Sequence, residues 1–166
     1  MNAARENEAF PVYLGLGSNI EPEKHLPEAV DLLAQHLRVG DRSSVWESPP
    51  VGGPGPNFLN AVMLLYTHLE PDTLREQLLR PVEDALGRVR SSDPNAPRTI
   101  DLDILVFDGQ VLEPEIWEQA HWSVPLSELV PDCPNPETGE TVGEAARRLS
   151  QAIPISRRED VWLHGI

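Results

Sequence analysis

The sequence predicts an α+β domain built on one mostly antiparallel sheet, with helices covering both faces. Three observations carry that expectation. Residues 11–17, 57–67 and 98–107 are apolar runs with strand character. Between them, residues 21–38 and 71–86 repeat their apolar positions at the helical period. Proline- and glycine-rich stretches separate these segments and no internal repeat or long linker divides the chain, so residues 1–166 read as a single domain.

Residues 1–10 are polar and expected to be disordered. Pro11 to Gly17 reads as the first strand, with Val12, Leu14 and Leu16 on one face and Tyr13, Gly15 and Gly17 on the other. Two glycines on one face allow close approach to the backbone, but no third glycine completes a dinucleotide fingerprint. The following helix carries Leu26, Ala29, Val30, Leu33 and Leu37 on one stripe, with Pro22 or Pro27 in its first turn. His25 and His36 lack a partner at ligand spacing and read as solvent-facing. Ser43 to Glu47 reads as a short strand, and Ser48 to Pro56 as an irregular loop, either a shaped wall or an ordinary linker.

Asn57 to Thr67 has apolar residues on both faces, the mark of a covered central strand. Asn60 interrupts it beside Phe58. Its amide either meets a planar heterocycle, which Phe58 could stack on, or satisfies a nearby loop backbone. The second helix carries Leu74, Leu78, Val82 and Leu86, should be kinked at Pro81, and stops at Gly87. Residues 91–97 are a loop, and Arg98 to Phe107 is the next strand, with Ile100, Leu102, Ile104 and Val106 opposite Asp101, Asp103, Leu105 and Phe107. Asp108-Gly109 marks a hairpin turn to a short return strand at Val111-Leu112. Residues 113–120 read as irregular, 124–130 as a short helix and 140–151 as a helix striped by Val142, Ala146 and Leu149. Val161 to Leu163 would add an edge strand or fold back on the surface. The order strand, helix, strand, strand, helix, strand is the split βαβ, ferredoxin-like arrangement.

A net charge of −14 argues against nucleic acid and anionic membranes as partners. Lys24 is the single lysine, so positive charge is nearly all arginine, and Arg88, Arg90 and Arg98 lie close together. Such a patch on an acidic chain suits an anionic ligand, because guanidinium forks match phosphate oxygens; pairing with surface acids is the alternative. One cysteine, Cys133, excludes an intramolecular disulfide, and no apolar run is long enough to span a membrane. A cytoplasmic monomer is expected.

Asp101 and Asp103 interrupt the most apolar run of the chain. Alternate residues of a strand lie about 6.6 Å apart on one face, so both carboxylates can converge on one ion. With no His or Cys nearby, they suit a hard cation that shares phosphate oxygens, as Mg²⁺ does. The alternative is a strand end whose aspartates bond turns or pair with Arg98.

Gly17-Ser18-Asn19, Ser48-Pro49-Pro50-Val51, Phe58-Leu59-Asn60, Gly87-Arg88-Val89-Arg90 and Pro97-Arg98-Thr99-Ile100-Asp101-Leu102-Asp103-Ile104 occur in that order. Together, over residues 11–131, they resemble the 6-hydroxymethyl-7,8-dihydropterin pyrophosphokinases of folate biosynthesis. The resemblance implies transfer of pyrophosphate from ATP to 6-hydroxymethyl-7,8-dihydropterin with release of AMP. It implies that Asp101 and Asp103 hold two Mg²⁺ ions and that Arg88 and Arg98 neutralise the transferred group. Glu83, Arg90, Ile104 and His121 would line the ATP site. Ser48, Pro49, Pro50, Val51, Phe58 and Asn60 would form the pterin pocket.

Two departures stand out. Pro94 and Asn95 occupy loop positions where the family commonly has a basic residue and a tryptophan. After His121 the chain lacks several residues of an arm that bears an arginine and an aromatic in the family. Trp122 is the candidate replacement for that aromatic; stacking of the pterin on one face only is the other reading. Two further functions stay open: a non-catalytic ferredoxin-like module that binds nucleotide or pterin, and a metal-dependent nucleotidyltransferase.

Overall fold

The computed structural model describes residues 8–163. Strand β1 (Phe10–Ser18) lies at the centre of the sheet, between β4 (Phe58–Thr67) and β5 (Asp101–Phe107), and is antiparallel to both. Beyond β5 lies β6 (Gln110–Val111). Beyond β4 lie β3 (Trp46–Ser48) and then β7 (Ser156–Arg157), and β2 (Arg38–Arg42) pairs with the other half of β4. Every pairing among these strands is antiparallel. The path β5, β1, β4, β3 is the strand order of the split βαβ arrangement.

Two cores result. The first packs Val12, Leu14 and Leu16 of β1 and Leu59, Ala61, Met63 and Leu65 of β4 against helix α1 (Pro22–Ala34) and the helical segment after β4. The second packs Val62, Leu105 and Val106 against α4 (Ala120–Ser127) and α5 (Val142–Ala152). Helices therefore cover both faces. The helical segment after β4 is one continuous rod with a defect: α2 (Pro71–Leu74), a π turn (Arg75–Leu79) and α3 (Arg80–Ala85). Pro81 has no N–H and its ring crowds the preceding turn; widening that turn, with Arg80 N–H bonded to the Arg75 carbonyl, accommodates it without a break.

Some sequence expectations change. Residues 1–7 lie outside the described residues, and β1 begins at Phe10 rather than Pro11. The strand expected at 43–47 is replaced by β2, which ends before it at Arg42, and β3, which starts at Trp46. Between them Ser43 takes over the ladder, its N–H donating to the Val62 carbonyl (2.8 Å) and its Oγ accepting from Val62 N–H (2.8 Å). His25 is buried, not solvent-facing, because the left-handed Glu21 (φ 44°) swings the Ile20 carbonyl to within 2.6 Å of its Nδ1. Strand β5 starts at Asp101, not Arg98, because Arg98 spends its backbone on Asn19 instead of the sheet.

Within β5 a bulge at Leu105 sets two residues against one of β1, since Tyr13 faces Val106 while Leu14 faces Ile104. The bulge exchanges the last two side chains: Phe107 joins the first core and Val106 the second, opposite to simple alternation. The segment expected to be irregular holds a 3-10 turn (Pro114–Trp117), and α4 starts at Ala120 rather than at Val124. Nearly all of α4 is buried, so it carries no apolar stripe to read. At the C-terminus the edge strand falls at 156–157, and Val161 packs into the first core.

Candidate active site

At one end of the sheet, on the side covered by α4, a cavity of about 270 Å³ opens. Strands β1, β4 and β5 contribute its floor through Gly17, Asn60, Asp101 and Asp103. The loop after β3 and the loop before β5 form two walls, and the start of α4 supplies His121 and Trp122. Register explains the grouping, because Gly17 pairs with Asn60 on one side and with Asp101 on the other. The side chain missing at Gly17 leaves the space into which Asn60 Oδ1 faces, with Phe58 alongside. Gly15, by contrast, is filled: the ring of Trp122 lies directly on its Cα.

Asn60 is buried, and its amide nitrogen donates to Ser48 Oγ (2.8 Å) and to the Trp46 carbonyl (3.3 Å). Its donor thus serves the neighbouring strand, and its acceptor faces the open side of Gly17. Phe58, Ser48, Pro49, Pro50 and Val51 also line the cavity.

The charged side is a chain of alternating signs. Arg88 donates to Asp101 Oδ1 (2.8 Å), to the Ile100 carbonyl (3.3 Å) and to Glu83. Arg98 donates to Asp101 Oδ2 (3.0 Å) and to the carbonyls of Pro94 and Ala96. Glu83 is buried beneath, accepting from Leu102 N–H (3.1 Å) and Arg90 (3.0 Å); burial pushes its carboxyl pKa up. Asp103 stands beside Asp101, with no ion pair to an arginine among the described residues. Burial, reinforced by the negative charge of Asp101, pushes its pKa up to about 8. His121 is held down to about 4 by burial.

The donor set fits magnesium. Two adjacent carboxylate oxygens, one of them carrying a proton that a cation can displace, make a hard and incomplete site. Among the described residues no third His, Cys, Asp or Glu completes a cage, so the remaining ligands would have to come from phosphate oxygens and water.

Most residues singled out in the sequence meet at this cavity, with four exceptions. Glu83, Arg88 and Arg90 stand behind Asp101, outside the cavity lining, and the side chain of Ile104 points into the first core. Glu113, Glu115 and Gln119 line the cavity but gave no signal in the sequence, since they lie in and around a 3-10 turn and at the start of α4, where no periodicity runs. Asn19 is a further omission: it holds Arg98 through two hydrogen bonds, N–H to the Arg98 carbonyl (3.1 Å) and Oδ1 from Arg98 N–H (2.8 Å).

A family model described as 7,8-dihydro-6-hydroxymethylpterin-pyrophosphokinase matches residues 13–131. The 2-amino-4-hydroxy-6-hydroxymethyldihydropteridine pyrophosphokinase of Methylorubrum extorquens is 40% identical over 149 residues, covering 82% of this chain and 92% of the relative. The enzyme of the same name from Bacillus subtilis is 39% identical over 129 residues, covering 70% of this chain and 76% of the relative. Among solved structures, Plasmodium falciparum HPPK-DHPS A437G with STZ-DHP shares the fold, with a TM-score of 0.71 at 11% identity. That match covers 89% of this chain, which spans about half (47%) of the Plasmodium chain. With the family model matched across most of its length and its motifs gathered at one cavity, the chain belongs to the 7,8-dihydro-6-hydroxymethylpterin-pyrophosphokinase family.

Proposed function

We propose a division of labour among these residues for the reaction that the chain catalyses as a member of its family. That reaction is transfer of pyrophosphate from ATP to 6-hydroxymethyl-7,8-dihydropterin, in folate biosynthesis. The observation that carries the proposal is the pairing of Asp101 with Asp103 on the cavity floor, between two arginines and an amide-lined recess.

Asn60 Oδ1 accepts from the pterin edge, Phe58 stacks on the ring, and Ser48 to Val51 close the recess. Trp122 bounds its far side in place of the aromatic arm that this chain lacks. Asp101 and Asp103 would hold two Mg²⁺ ions, which would supply charge neutralisation of the phosphates and polarisation of the attacking hydroxyl. Arg88 and Arg98 are paired with Asp101 in the free protein. On nucleotide binding, their forks turn to the β- and γ-phosphates and stabilise the charge that moves toward the leaving AMP. Glu83 keeps Arg88 and Arg90 aligned from below, and His121, neutral across the physiological range, offers a nitrogen to the nucleotide. No side chain need act as general base; catalysis of this transfer is mostly positioning plus electrostatics.

The test is product identity. Purified protein mixed with the pterin, ATP and Mg²⁺ should form AMP and pterin pyrophosphate in equal amounts, read by anion-exchange chromatography. Release of inorganic pyrophosphate would favour a nucleotidyltransferase, and no product with intact substrate binding would favour a binding module.

A further inference from the structure

We infer that the C-terminal segment around Arg158, which lies beyond the family match, is a positioning element for the pterin recess. The inference rests on the pterin assignment made above. Strand β3 is only three residues long, yet its ends hold Asn60: the Trp46 carbonyl and Ser48 Oγ both accept from the Asn60 amide. Whatever displaces β3 therefore turns the Asn60 acceptor away from the cavity.

On its outer side β3 would be an unpaired edge leading into the proline- and glycine-rich wall. The C-terminal segment removes that edge. Trp46 pairs with Arg157 and Glu47 with Ser156, so Asn60, Trp46 and Arg157 form one rung across three strands. Arg158 N–H then donates to the Val45 carbonyl (2.8 Å). Its guanidinium reaches Glu47 of β3 through Nη1 (2.9 Å) and Glu23 of α1 through Nη2 (3.4 Å), and Asp160 accepts from Nε and Nη2 (2.8 and 2.9 Å). Val161, buried in the first core, anchors the far end. An isolated exposed ion pair contributes little, but one guanidinium steadied by Asp160 of its own segment and bonded to carboxylates of β3 and α1 ties those two elements to the C-terminal segment.

The experiment compares Arg158→Met, Arg158→Lys and Ser156→Pro with Asn60→Ala, in the full chain. Steady-state constants for both substrates, pterin affinity by calorimetry and Tm are measured for each. Arg158→Met and Ser156→Pro should each raise the pterin KM and Kd about tenfold, with kcat and the ATP KM within about twofold. Arg158→Lys, which keeps the charge but not the fork, should recover part of that loss. An unchanged pterin Kd in both disruptive variants, beside a weakened Asn60→Ala, would overturn the brace. A drop in Tm with equal losses for both substrates would also overturn it, because that is what a purely structural role gives. An unchanged pterin Kd in Asn60→Ala would instead overturn the pterin assignment itself.

Discussion

At the residue scale, the most informative atom pair is Asp101 with Asp103. Burial, and after it the negative charge of the neighbouring Asp101, push the Asp103 carboxyl pKa up to about 8. The consequence for stability has a definite sign. A carboxyl with a folded pKa above its unfolded value of 3.8 favours the native state below that value, and the contribution is lost as pH rises toward 8. In EDTA and without nucleotide, calorimetric Tm should therefore fall between pH 5 and pH 8 more steeply in the native chain than in Asp103→Asn. Parallel curves for the two proteins would contradict the assignment. Asn60 makes a separate expectation. Asn60→Ala deletes the acceptor in the cavity and should weaken pterin binding by about 1–2 kcal/mol, while leaving the ATP Kd alone; calorimetric titration of each substrate checks it.

At the scale of elements, the site depends on β1 passing between β4 and β5 with glycine at two alternate positions. Those glycines were legible as places of close approach, but which partner filled each one was not. Gly17 faces Asn60 Oδ1 and stays open, whereas Gly15 is covered by Trp122, a contact 107 positions away along the chain that no local pattern encodes. Gly15→Ala would drive a methyl group into that indole. It should cost about 1–3 kcal/mol of stability, read from urea unfolding, and displace Trp122 from the recess. A variant with native stability and a native near-ultraviolet Trp signal would contradict this packing.

The same limit explains the other departures. Amphipathic α1 and α5 were readable from their stripes, and the Asp108-Gly109 turn from its residue types; their φ values of 47° and 80° are what a tight hairpin demands. The early start of α4 was not readable, because a helix buried all round has no periodic face. Nor was the bulge at Leu105, which is decided by register against β1 rather than by Leu105 itself. His25 was misread because its partner is a carbonyl positioned by the backbone of Glu21.

At the scale of the whole molecule, a chain of net charge −14 concentrates three arginines beside its cavity, each paired with a carboxylate. The alternation Glu83, Arg88, Asp101, Arg98 keeps those charges compensated in the free protein. In the proposed mechanism, triphosphate and metal would take over these pairings without leaving a charge stranded. Whether the two aspartates serve that exchange is tested by turnover in Asp101→Ala and Asp103→Ala, with circular dichroism confirming the fold. Both variants should lose AMP formation by at least about a thousandfold at saturating ATP, pterin and Mg²⁺; AMP formation within tenfold of the native rate in either one would contradict the account.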